Sequence, residues 1–197
     1  MPSSLSPMDC LSAICLQEMH HGGIQLNAST FNIIMLAYTR ARYTEGVLNI
    51  FNQMKVYGCN PNAFSFKCAV RSLVWSGRVA EALSMYKAMV DFGYVADNFT
   101  YNGLIEGLSK AGNVNEAQLI FQEMEDRGMT PDAIAHAALI KGLDMEGRVE
   151  EACRLFQDMT GKNLGTVVDT HKGVMGVFSK KRRKHDLSFS ESKKATA

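Results

Sequence analysis

The 35 residues NFTYNGLIEGLSKAGNVNEAQLIFQEMEDRGMTPD, Asn98 to Asp132, decide the architecture. Tyr101, Leu104, Ile105 and Leu108 recur at i, i+3, i+4 and i+7, which gathers them on one face of a 3.6-residue helix. Lys110-Ala111-Gly112 interrupts that pattern. Asn113 followed by Glu116 has capping-box spacing and predicts the start of a second helix. Its apolar stripe is Val114, Ala117, Phe121 and Met124. Gly128 and Pro131 end the stretch, because Gly accepts positive φ and Pro cannot continue a helix. The stretch therefore reads as a helical hairpin.

The hairpin recurs at a constant interval. Phe51, Tyr86, Phe121 and Phe156 stand 35 residues apart, as do Met19, Met54, Met89, Met124 and Met159. Gly23, Gly58, Gly93 and Gly128 form a third series, continued by Asn163, and Gly77, Gly112 and Gly147 a fourth. An ordinary amphipathic bundle shows helical spacing but has no reason to hold such an interval, so the expected fold is an all-α solenoid of antiparallel helical hairpins.

Outward from this unit, complete repeats are expected at 28–62, 63–97, 98–132 and 133–167. Residues 8–27 read as a partial repeat holding only a second helix, with Leu16 and Met19 in the slots of Phe51 and Met54. Residues 168–180 read as a lone first helix, with Thr170-His171 in register with Thr100-Tyr101. Residues 1–7 are expected to be a disordered start and 181–197 a basic disordered tail. The segment 180–197 carries seven of the 21 Lys/Arg and two of the 20 Asp/Glu, leaving 14 against 18 elsewhere, a mildly acidic body. That balance counts against a strongly basic polyanion-binding surface. For KKRRK (Lys180–Lys184) a solvated charge run is favoured over an import signal or phosphate-binding tail.

The rest of the composition narrows the class. No run of 18 apolar residues exists, so neither a membrane span nor a membrane partner is expected. Five cysteines (Cys10, Cys15, Cys59, Cys68, Cys153) form no CxxC pair and lie near no His at finger spacing; they read as buried or idle thiols in a reducing compartment. The chain shows no Gly-rich phosphate loop, no nucleophile with a placed base and no paired carboxylates outside the Glu-rich helix faces. Neither an enzyme, a small-molecule substrate, a metal nor a cofactor is expected. The start lacks Arg before Arg40, unlike an organellar transit peptide or a secretory signal.

A 34-residue period, that of tetratricopeptide repeats, would slip by three residues between Phe51 and Phe156, and no slip occurs. The segments T-Y-N-G-L-I-E-G-L-S-K-A-G (100–112), N-E-A-Q-L-I-F-Q-E-M (115–124) and G-M-T-P-D (128–132) closely resemble the pentatricopeptide repeat family. Units all 35 residues long resemble its pure-repeat class, over roughly residues 8–178. The resemblance implies a right-handed superhelix whose first helices face single-stranded RNA, one base per repeat. It implies a role in organellar RNA processing, stability or translation, in mitochondrion or chloroplast. With no transit peptide in view, cytoplasm and nucleus stay open. Half a repeat at each end is expected of a truncated member.

In that family the fifth and last residues of a unit read the base, and the second residues of successive units hold it. By resemblance, Asn102 and Asp132 read uracil, clamped by Phe99 and Ile134. Asn32 and Asn62 are the combination associated with cytosine, less strictly uracil, with Phe64 on one side and Ser29 where an apolar residue is expected. Pyrimidines are thus expected opposite the first and third repeats. Lys67 with Asp97 gives no clear preference beyond an ion pair or a phosphate contact, and Ala137 with Val167 reads no polar edge. Arg40 and Lys110 fill a slot where the family carries a cation for the RNA backbone, and Trp75 and Met145 fill it in the other two units. Helix packing is the favoured reading of Trp75, and packing also of His136 and His171. The alternative functions are a protein-interaction scaffold or a non-functional fragment.

Overall fold

The computed structural model describes residues 14–19, 21–23 and 26–161. Val167, the 1–7 start, the 168–180 helix, His171 and the 181–197 tail lie outside them. Residues 14–19 are helical, with Leu16 buried as its slot requires. Eight further helices follow: α1 (Ala28–Arg40), α2 (Thr44–Val56), α3 (Ala63–Trp75), α4 (Val79–Asp91), α5 (Asn98–Lys110), α6 (Val114–Asp126), α7 (Ala133–Met145) and α8 (Val149–Gly161). Each has 13 residues, and every boundary recurs after 35. No strand occurs among the described residues.

Two compact units divide the chain, residues 1–100 and 101–197. In the first, α1 pairs with α2 and α3 with α4, and α3 packs on both helices of the preceding hairpin. In the second, α7 pairs with α8 and packs on α6. The residues picked out by periodicity form the cores. Met54 and Met89 are fully buried in the first unit, as are Tyr101, Leu104, Ile105 and Met124 in the second. Ring contacts also repeat: Phe51 meets Phe66 edge-on at 5.1 Å, and Phe121 meets His136 edge-on at 5.0 Å. His136 is a buried packing residue, its Nδ1 bonded to the Asp132 carbonyl at 2.8 Å.

Each first helix ends in the same turn, where a backbone N–H reaches back five residues: Tyr43 to Tyr38, Arg78 to Leu73, Asn113 to Leu108 and Arg148 to Leu143. The residue before that donor must take positive φ. Gly77, Gly112 and Gly147 do so at φ of 75–80°, and in the first repeat Arg42 does so at 55°.

The capping box expected at Asn113 does not form. Asn113 precedes α6, but its φ/ψ of −91°/58° lies outside the extended region and its side chain makes no cap bond. Its N–H is already spent on Leu108 O at 2.9 Å, so Glu116 has no donor to reach. The box occurs instead at Asn62 and Ser65, ahead of α3.

Candidate functional site

Among the described residues, the side-chain caps fall on the last residue of a unit. Asn27, Asn62 and Asp132 are the N-caps of α1, α3 and α7, with extended backbones and side-chain oxygens accepting first-turn N–H groups. Asp97 does the same ahead of α5, its Oδ1 accepting from Thr100 N at 2.9 Å. Capping pins the side chain, and for Asn62, Asp97 and Asp132 the partner is the fifth residue of the same unit.

Asn102 Nδ2 donates to Asp132 Oδ2 at 2.9 Å, while Asp132 Oδ1 caps α7 through Ile134 N and Ala135 N. The carboxylate is divided, one oxygen for the fold and the other for Asn102. Asn102 is 9% exposed, and its Oδ1 is buried without a hydrogen-bond partner. Asn32 Nδ2 donates to Asn62 Oδ1 at 3.3 Å, and Ser65 Oγ donates to Asn32 Oδ1 at 2.7 Å. None of these bonds uses the Asn62 Nδ2. In the second repeat Lys67 Nζ lies 2.9 Å from Asp97 Oδ2. Burial raises the Asp97 carboxyl, but hydrogen bonds from Lys67 and Thr100 outweigh it and hold it below the usual aspartate range.

The flanking second-position residues are open to solvent although apolar: Phe64 is 42% exposed, Phe99 52% and Ile134 55%; Ser29 is exposed as well. Arg40 is exposed in the last turn of α1. Lys110, in the last turn of α5, shares its charge with Glu106 at 2.6 Å. Ala137 is half-buried and offers no polar edge.

The profile of the PPR repeat family matches residues 26–74 and 97–145, and that of the single PPR repeat matches 64–94 and 136–164. The chain belongs to the pentatricopeptide repeat family. A pentatricopeptide repeat-containing protein of Arabidopsis thaliana is 30% identical over 60 residues, covering 30% of this chain and 11% of the relative. Among solved structures, the maize pentatricopeptide repeat protein PPR10 superposes with a TM-score of 0.71 at 22% identity, over 93% of this chain and 26% of that one. The pentatricopeptide repeat domain of Arabidopsis protein-only RNase P 1, solved with tRNA, gives 0.74 at 22% identity, over 87% of this chain and 91% of that one. The nuclear RNase P 2 of the same plant gives 0.77 at 16%, over 88% and 39%. These likenesses establish the shared fold, the α-solenoid of antiparallel helical hairpins. The chain spans about a tenth of the curated relative and a quarter of PPR10.

Within this pentatricopeptide repeat protein the structure thus brings together three of the four expected pairs, Asn32–Asn62, Lys67–Asp97 and Asn102–Asp132. The fourth lacks a described partner for Ala137. Trp75 departs from the packing reading: it is 37% exposed and stands beside two guanidinium groups, Arg42 at 4.7 Å and Arg71 at 4.4 Å. Sequence reasoning overlooked Arg71. Its signal was present, since Lys67, Arg71 and Trp75 are four apart and share a helix face. Among the described residues, no helix is long and apolar enough to cross a membrane, and no group of three His, Cys, Asp or Glu could hold a metal.

Proposed function

We propose that this chain binds single-stranded RNA and reads bases through Asn102 with Asp132 and Asn32 with Asn62. The observation that carries the reading is the division of labour at Asp132: Oδ1 is committed to the α7 cap, and Oδ2 is presented with the Asn102 amide as one polar edge. A carboxylate only accepts, which suits the ring N–H of uracil, and the Asn102 Nδ2 carries a second hydrogen that can be donated to a uracil carbonyl oxygen. The Asn102 amide has to turn outward for a base to reach it. In the first repeat the Asn62 Nδ2 can donate to the bare ring nitrogen of cytosine. Phe99 and Ile134 present apolar faces on which a base stacks.

The family match and the RNA-bound relatives, among them PPR10 with an 18-nucleotide psaJ element, support RNA as the ligand class. A role in organellar transcript processing, stability or translation, in mitochondrion or chloroplast, belongs to the same proposal. The test is a titration of labelled single-stranded RNA pools at two salt concentrations, repeated with Asn102→Thr. Selection of pyrimidines opposite the first and third repeats, and a shift from uracil toward a purine in the variant, are expected. An unchanged preference in the variant would reject Asn102 as a reading residue, and no binding by the wild type would favour the protein-scaffold alternative.

A further inference from the structure

The second repeat has no base-reading pair, yet its Arg71 and Trp75 join Arg42 and Phe99 of the flanking repeats in a cluster of guanidinium groups and rings. The Arg71 guanidinium lies 4.4 Å from the Trp75 ring and 4.2 Å from the Phe99 ring, and Arg42 lies 4.7 Å from Trp75. Neither arginine is in an ion pair among the described residues, whereas the nearby Lys67 and Arg78 are matched to Asp97, Glu45 and Glu81. The Arg71 Nε–H is buried and has no acceptor among the described residues. A guanidinium held by aromatic faces keeps its charge and most of its donors unspent, which is the state that receives a phosphate.

Arg42 supplies an independent sign. It occupies the turn slot that Gly77, Gly112 and Gly147 fill in the other repeats, at a φ of 55° that an L side chain adopts only under strain. A glycine there would be better for the fold. The side chain that replaces it reaches from the α1–α2 turn to Trp75 on α3.

We infer that Arg42, Arg71 and Trp75 form a phosphodiester-binding grip, which lets the second repeat hold the RNA backbone without reading a base. This rests on the RNA-binding reading above: Trp75 stands in the last-turn slot without a charge of its own, and Arg42 and Arg71, from other positions, bring the cations to it. The Lys67–Asp97 ion pair closes the reading position of the repeat, and the grip lies on the same helix face four and eight residues further on.

The test uses the full chain with short fluorescent U-tract and A-tract RNAs, over a range of salt. Arg42→Gly is expected to raise the melting temperature while weakening both RNAs by about tenfold. Arg71→Gln is expected to weaken both alike, and each substitution to flatten the salt dependence by about 0.7 in slope. Circular dichroism checks that Arg71→Gln folds. Variants that bind as the wild type does would overturn the grip and leave base reading by the other repeats intact. A changed ranking of U over A in Arg71→Gln would make Arg71 a base reader and overturn the backbone assignment. Displacement of RNA by poly-glutamate at matched charge would overturn the RNA phosphate as its ligand. If the wild type binds neither RNA, the RNA-binding reading itself fails and the grip with it.

Discussion

In the proposed reading Asp132 serves both folding and recognition: one carboxylate oxygen caps α7 and the other is offered to the base. Asp and Asn cap helices about equally well and Ala does so poorly, at a cost of about 1 kcal/mol. Asp132→Ala should therefore lose about that much stability in denaturant titration, together with uracil preference. Asp132→Asn should melt like the wild type and move the third repeat toward cytosine, because it recreates the Asn32–Asn62 combination. Asp97 brings a pH dependence. Its folded value is depressed, so its contribution is present above the unfolded aspartate value of about 3.9 and fades as pH falls through the lower folded one. Melting followed downward through that window should fall less steeply for Lys67→Met than for the wild type, since the variant removes one source of the depression. The pairs were legible in the sequence because the family motif marks the fifth and last residues. The caps were not read from the sequence: Asn27, Asn62, Asp97 and Asp132 are spaced by 35, but the cap was expected at Asn113 with Glu116, a more familiar pattern. What spoiled it was a backbone bond to Leu108, which no side-chain spacing reveals.

At the scale of the helix, burial decides. Leu104 is fully buried in α5, and Leu104→Ala should cost about 2–5 kcal/mol by urea unfolding, the span expected for a large-to-small change in a packed core. Gly112 is different. A Cβ there would meet nothing within 4 Å, so Gly112→Ala tests backbone strain alone, about 1–2 kcal/mol at its φ of 80°. Helix extents were legible because four independent residue series shared one period. Arg42 was not, because the break in the glycine series reads as a mere exception until the ring of Trp75 is found beside it. Trp75 itself was misread for a general reason: an aromatic residue at a helix end is packed or presented according to neighbours that only the folded chain supplies.

For the chain as a whole, stability in a repeat array is a sum over units and their nearest-neighbour contacts, and binding is additive in the same way. Stacking contributes roughly 1–3 kcal/mol per base, so two reading repeats supply about 2–6 before ordering costs, while a millimolar complex needs about 4. An isolated chain should therefore bind a random RNA pool only weakly, and isothermal titration giving nanomolar affinity would show that other contacts dominate. The 35-residue interval was legible across the eight helices from residue 28 to residue 161; the burial of Asn102 was not, since it depends on what packs around it. In the proposed reading the same side chain starts a helix and faces the ligand, which narrows what such an array can recognise. Evolution or an engineer can spell a new target at that position only with letters drawn from the short alphabet of good helix starters. An array rewritten with any other letter would give up about 1 kcal/mol of helix capping at each hairpin so changed.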